Sequence, residues 1–243
     1  MPPPVRAFPA LQVRSRRTVD RLLTAAQALF AERGISEISV VDICRRAGVG
    51  VGTFYGRFVD KEALLRAFYD RYFARSAARF DHSFPRSWAG RPAAEIVAAL
   101  VRQRVAHYRR NRSLLRALVL YAQTRPDAVF RSEAAPFGTL VYERLRELLF
   151  TGDGGVRVVD PDRAVRSMLV MIEATTKDVI LFSENRSPRL QLSDRELTRE
   201  LTGLALARLG LPSRDRRRAH TSVRALRQRA DRRASRAHLG SDE

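Results

Sequence analysis

The stretch RAGVGVGTFYGRFVDKEALL, Arg46 to Leu65, holds four glycines: Gly48, Gly50, Gly52 and Gly56. Glycine at this density serves one of two chemistries. It lets backbone N–H groups cradle a nucleotide phosphate, or it lets a tight turn and a short helix come close to a DNA backbone. The phosphate-loop option needs companion residues. A P-loop requires G-x-x-x-x-G-K-[ST], and the chain has no glycine–lysine pair. A dinucleotide fingerprint places a third glycine where Tyr55 stands, and it follows a strand, whereas the segment before Gly50 has helical, capped character. GVGTFYG imitates a kinase glycine loop, but the lysine on a following strand and the H-R-D and D-F-G tripeptides are missing. Nor does any nucleophile–base pair, carboxylate pair or metal cluster stand out elsewhere, so neither an enzyme nor a cofactor is expected.

The DNA-reading option uses more of the residues. Two helices crossing steeply need a turn of three or four residues, often with glycine, and Gly48 supplies it. Small residues at Gly50 and Gly52 let the N-terminal end of a short third helix approach DNA. The orphan N–H groups and positive dipole of that end suit phosphate. Thr53 and Tyr55 can donate hydroxyl hydrogen bonds to phosphate oxygens. Phe54 and Phe58 would anchor the short helix to a core.

The elements that must position these residues follow from periodicity. Residues 1–13 are proline-rich and read as a disordered arm. From Arg16, Val19, Leu22, Leu23, Ala26, Leu29 and Phe30 recur at helical spacing, and Gly34 suits the position after the helix end. Ser39 caps a second helix, with Asp42 three residues on in capping-box register. Val40, Ile43, Cys44 and Ala47 form its buried face. A third helix runs from about Val51 to Tyr55, and Asp60 caps a fourth carrying Leu64, Leu65, Phe68 and Tyr72. Further helices are expected near 93–110, 112–124, 126–149, 161–184 and 193–210, divided by turn signals such as FPRSWAGRP and TGDGGVRVVDP. No run alternates over strand length, so the chain reads as all-α.

Charge agrees with a polyanionic partner. The 243 residues carry a formal net charge of +19, nearly all of it from arginine, since Lys61 and Lys177 are the only lysines. Basicity is densest at the two ends: residues 1–75 and 211–243 each carry net +6. The alternative is a solvated, arginine-biased surface. One cysteine, Cys44, excludes an intrachain disulfide. It falls on an apolar helix face, which favours a buried structural thiol over a redox sensor. Four histidines, His82, His107, His220 and His238, make no zinc spacing. No window approaches a membrane span, and the first residues lack an apolar core of signal-peptide length. The expected location is the cytoplasm, with no membrane partner.

SVVDICRRAGVGVGTFYGRFVDKEALL, Ser39 to Leu65, resembles the DNA-binding signature of the TetR family of bacterial helix-turn-helix transcriptional regulators. The resemblance in motif covers about residues 16–66. It implies a three-helix DNA-binding domain over 14–66, a helical ligand-binding and dimerisation domain over 67–210 giving about nine helices, and a basic mobile tail over 211–243. By position, it implies that Thr53, Tyr55 and Lys61 contact phosphates and that Ser39 and Val40 meet the backbone. Gly50, Val51 and Gly52 lie where side chains face base edges, and none of them makes a bidentate base contact. Direct readout would then fall to Arg46, Arg57 or a contact from Val51 to a thymine methyl, with shape readout elsewhere. Arg16 and Arg17 are expected on DNA. Arg45 stays open between DNA contact and solvent.

The resemblance also implies a ligand pocket, for which Phe84, Trp88, Tyr108, Leu118, Tyr121, Phe137, Met168, Met171 and Glu173 are candidates. Arg109, Arg110 and Arg112 could meet an anionic head group or form a solvated turn. The segment near 165–180 is apolar on more than one face. With the stripe on the last helix it implies a four-helix dimer interface containing Val165, Leu169, Ile172, Val179, Ile180, Leu197, Leu201 and Leu204. Burial of both helices in a monomer core is the alternative. The expected function is a homodimeric repressor of a palindromic operator, released by a small-molecule effector. A non-specific architectural binder driven by the basic termini is the competing reading.

Overall fold

The computed structural model describes residues 9–124, 129–151, 158–185 and 191–212, with Val156 between them. Among these residues the secondary structure is helical throughout: α1 Pro9–Arg33, α2 Val40–Ala47, α3 Val51–Tyr55, α4 Lys61–Ser83, α5 Ala93–Arg110, α6 Arg112–Thr124, α7 Val129–Phe150, α8 Pro161–Leu181 and α9 Asp194–Arg208. Short 3-10 turns follow α4, at Arg86–Trp88, and α8, at Ser183–Asn185. No helix among the described residues is long and apolar enough to cross a membrane.

Local signals explain most of the boundaries. Ser39 and Asp42 complete a reciprocal capping box at the start of α2. Asp60 Oδ1 accepts the Ala63 N–H at 2.7 Å and opens α4. Asp160 caps α8, with Pro161 in its first turn, and a Ser193–Glu196 box opens α9. Gly34, at φ 85°, lets the chain leave α1.

Three boundaries differ from expectation. Helix α1 begins at Pro9, not near Arg16, so Pro9 to Val13 belong to a helix and not to an arm. Proline fits a first helical turn, where its missing N–H has no intrahelical partner to lose. Helix α8 ends at Leu181, three residues early; the Leu181 carbonyl accepts from Arg116 Nη1 at 3.0 Å. The expected domain boundary after residue 66 falls inside α4, which runs unbroken to Ser83. At 1.5 Å per residue its 23 residues span about 35 Å. One unbroken rod thus crosses the expected boundary: Leu64, Leu65, Phe68 and Tyr69 are buried toward its start and Phe80 toward its end.

Packing follows the apolar stripes. Helix α1 buries Leu22, Leu23, Ala26, Leu29 and Phe30 and lies against both α2 and α6. Helix α4 packs chiefly on α7, and α5 lies against both α8 and α9. The packing of α8 and α9 on α5 and on each other, and of α8 on α7, takes up most of the expected dimer face. Val165, Ile172, Val179, Ile180, Leu197 and Leu201 are buried within the chain itself. Leu169 is half-buried and faces the internal cavity described below. Of the eight residues only Leu204, 54% exposed, points outward, and Val170 is the exposed apolar residue of α8. A helix apolar on several faces satisfies one of them inside its own chain first.

Candidate nucleic-acid interface and helical-domain cavity

The reading head is built around the turn at Gly48. Its φ of 62° and ψ of 42° lie in the left-handed region. The Gly48 N–H donates to Arg45 O at 3.2 Å and the Val49 N–H to Cys44 O at 3.0 Å, so the last carbonyls of α2 are satisfied. Arg21 of α1 holds the same turn, its Nη2 donating to Ala47 O at 2.6 Å and Gly48 O at 2.9 Å. A Cβ on Gly48 would come within 2.9 Å of that nitrogen. The left-handed backbone selects glycine, and a Cβ there would also displace the end of the Arg21 side chain.

Helix α3 presents one buried residue and otherwise faces outward. Phe54 is fully buried, with Tyr55 edge-on at 5.3 Å and Phe58 at 5.6 Å between ring centroids. Val51, Gly52, Thr53 and Tyr55 are exposed, and so are Gly50 and Arg57 on either side. Tyr55 is 55% exposed and Val51 39%. A Cβ on Gly52 would meet nothing within 4 Å, and one on Gly50 would meet only Thr53 Oγ1 at 3.9 Å. Neither glycine has positive φ. The fold therefore does not require glycine at either position; a surface with the bare backbone exposed does.

The cations expected on DNA are placed unequally. Arg16 and Arg17 are exposed on α1. Arg46 makes a two-point ion pair with Glu32, at 2.8 and 3.1 Å. Arg45 lies 3.4 Å from Asp42, whose carboxyl is held below its ordinary range first by the Ser39 hydroxyl and then by the Ser39 N–H. Both arginine pairs are exposed and worth little energetically, so either arginine is free to exchange partners. Lys61 is different. Its Nζ donates to Ile38 O at 2.9 Å and Ile35 O at 3.2 Å, closing the α1–α2 turn from the start of α4. Ser39 is exposed with its hydroxyl committed to the capping box, and Val40 is half-buried. Exposed Val41 and Val59 carry no polar signal, and sequence inspection passes over them. Cys44 is buried, and burial pushes its thiol pKa up, which keeps it protonated.

The second feature is a cavity of about 730 Å³ between α4, α5, α6, α7 and α8. Of the expected pocket residues, Tyr108, Leu118, Phe137 and Glu173 line it. Phe84, Trp88, Tyr121, Met168 and Met171 do not. Phe84 is buried against Phe80 and Trp88, and the Arg91 guanidinium lies 4.5 Å over the Trp88 ring. Met168 is fully buried in the core, and Met171 is half-buried against it. Tyr121 donates to both carboxylate oxygens of Glu62, at 2.9 and 3.0 Å, joining α6 to the first turn of α4. Of the three arginines near the α5–α6 turn, Arg110 lines the cavity, whereas Arg109 pairs with Asp194 and Arg112 with Glu184.

Sequence inspection named Tyr108, Glu173 and Arg110 but missed the rest of this cavity's polar wall. Tyr72 Oη and His107 Nε2 are 2.9 Å apart, and Arg79 Nη2 donates to Ser76 Oγ at 3.0 Å. Glu173 accepts from the Tyr108 hydroxyl and lies 3.2 Å from Arg104 Nε. Burial, reinforced by Arg104 and Arg79, lowers the His107 pKa to about 4. Burial pushes Tyr72 up to about 12, and burial with the Glu173 carboxylate raises Tyr108 further. The usable signal was the spacing: Tyr72, Ser76 and Arg79, then Arg104, His107 and Tyr108, recur at three and four residues within otherwise apolar faces.

Comparisons with known proteins converge on one family. Residues 22–68 match the model of the bacterial regulatory proteins, tetR family. The HTH-type transcriptional repressor KstR2 of Mycobacterium tuberculosis (strain ATCC 25618 / H37Rv) is 47% identical over 68 residues, 26% of this chain and 33% of that protein. The HTH-type transcriptional regulator UidR of Escherichia coli (strain K12) is 36% identical over 70 residues, 29% of this chain and 36% of that one. The matched region thus spans about a third of these relatives' length. Among solved structures, the transcriptional regulator FadR from Bacillus subtilis in complex with stearoyl-CoA is similar with a TM-score of 0.59 and 19% identity, covering 77% of this chain and 97% of that one. At that identity the likeness is one of fold.

Proposed function

We propose that this chain, whose residues 22–68 match the model of the bacterial regulatory proteins of the tetR family, is a homodimeric, sequence-specific DNA-binding transcriptional regulator, acting as a repressor that a small molecule releases. The observation that carries the reading is α3: an exposed face of Val51, Thr53 and Tyr55 beside two glycines that the fold does not require, fixed to the core by buried Phe54. Bare backbone at Gly50 and Gly52 admits close approach to the duplex. Thr53 and Tyr55 donate to phosphates, and Val51 meets a base edge, best suited to a thymine methyl. Arg16, Arg17 and Arg57 add charge, and Arg46 exchanges Glu32 for DNA. Lys61 acts mainly on the fold, through the two carbonyls it holds.

One short reading helix covers little sequence, so a two-fold dimer on a palindrome is expected, with half-sites about 34–36 Å apart or a multiple of it. The dimer face in this reading uses the outward stripe of α9, Leu204 with Ala207, and the exposed Val170 and Ala174 of α8, which also lie on the rim of the cavity. The effector occupies the cavity. Helix α6 lines it through Leu115, Leu118 and Val119, packs on α1, and reaches the first turn of α4 through Tyr121 and Glu62. A ligand that favours one placement of α6 would move the reading head. It can shift binding only by its differential affinity for the two placements. A cytoplasmic location belongs to the same reading.

The test is genomic selection with the purified protein at about 150 mM salt, near physiological ionic strength. One enriched palindrome is the expected result. Uniform recovery of fragments would overturn the reading in favour of a non-specific binder driven by the basic termini.

A further inference from the structure

The cavity wall carries two chemistries. Phe137 lies 6.1 Å from Phe73 and 6.4 Å from Phe80, centroid to centroid, with Leu118 and Val141 also on the wall. The same wall holds four cations, Arg79, Arg104, Arg110 and Lys177, against one carboxylate, Glu173. Glu173 is already committed to Arg104 and the Tyr108 hydroxyl. Arg79, Arg110 and Lys177 have no carboxylate within ion-pair distance among the described residues. Arg104, Arg79 and Arg110 each disfavour the charged form of the His107 ring, which lines the same cavity.

We infer that the cavity takes an amphipathic organic anion, its hydrocarbon body against Phe73, Phe80 and Phe137 and its anionic head toward Arg79, Arg110 and Lys177. Arg79 and Arg110 are exposed at the rim and Lys177 is half-buried, so a neutral ligand gains nothing from them and a cationic one is repelled. An anion pairs them and accepts hydrogen bonds that are stronger for being charge-assisted. The volume lies within the roughly 300–1,000 Å³ of pockets that enclose drug-sized molecules. The inference deepens the regulator reading and rests on it only for the consequence on DNA.

The experiment varies the head group on one tail. Decanoate, 1-decanol and decyltrimethylammonium are titrated calorimetrically into the full chain at pH 7.5, below their aggregation limits. Decanoate should bind at least about tenfold more tightly than decanol, and the ammonium most weakly. The double variant R79Q/K177Q should bring decanoate to within about threefold of decanol while leaving decanol unchanged. Should that variant melt early, the single Lys177→Glu serves, and it should narrow the same gap. Equal binding of decanoate and decanol to the unaltered chain, no binding of any probe, or an undiminished preference in the variants would each overturn the assignment. DNA binding is measured separately. A chain that binds an enriched palindrome but shows no anion preference defeats this inference alone, and one that prefers decanoate but selects no DNA defeats the regulator reading alone.

Discussion

The glycines of the reading head look alike in sequence and differ in what holds them. Gly48 is fixed by a left-handed backbone and by Arg21 at 2.9 Å from the place of its Cβ. Gly52 meets nothing, and as a helical residue it costs about 0.5–1 kcal/mol relative to alanine. Gly52→Ala should therefore raise the melting temperature slightly while weakening operator binding by about tenfold or more, because a methyl group stands where the duplex must approach. A stabilised variant with intact binding would remove Gly52 from the interface. His107 makes a second residue-level prediction. It faces Tyr72 and Arg79 of α4, Arg104 and Arg110 of α5 with Asn111 just past its end, and Glu173 of α8. Its pKa is about 4 when folded against an ordinary 6.5, so the unfolded chain binds more protons between those values. Stability contributed by the neutral ring should fall as pH drops from about 6.5 toward 4. His107→Gln, compared with the parent by denaturant titration across that window, should lose this part of the acid sensitivity.

At the scale of elements, two cations secure the head by accepting no anion at all. Arg21 ties α1 to the α2–α3 turn, and Lys61 ties α4 to the α1–α2 turn, both through backbone carbonyls. Lys61 occupies the first position of α4, where the helix dipole disfavours positive charge, and the carbonyls of Ile35 and Ile38 offset that cost. Lys61→Met should lower stability by about 1–3 kcal/mol, since two part-buried carbonyls lose a donor, and should leave the salt dependence of DNA binding unchanged. A phosphate contact would give the reverse: an unaltered melt and a log–log salt slope smaller by about one. Thermal melts and binding at several salt concentrations decide between them.

The whole molecule sets which apolar surface is spent inside and which is left for a partner. Leu201 and Leu204 lie one helical turn apart on α9, one fully buried and the other 54% exposed. Leu201→Ala should cost about 2–5 kcal/mol of stability through the cavity it leaves. Leu204→Arg should leave the folded subunit intact and shift sedimentation from dimer to monomer, with loss of operator affinity. A dimeric Leu204→Arg protein would place the subunit contact elsewhere.

What the sequence determined by itself was the local structure, apart from the start of α1 and the end of α8. The capping box at Ser39, the turn at Gly48, the cap at Asp60, the buried Phe54 and the helical identity of each segment follow from contacts within about four residues, and such contacts are written in spacing. The tertiary structure decided which face of each helix meets which neighbour. Helix α8 is apolar on several sides, and only its packing among α5, α6, α7 and α9 assigns Val165, Ile172 and Ile180 to the interior. Arg46 and Lys61 read alike as free cations, until a glutamate on α1 and two carbonyls of another turn claim them. The cavity is the extreme case. Its cations come from α4, α5 and α8, far apart along the chain, and no single helix's pattern encodes that they converge on one space.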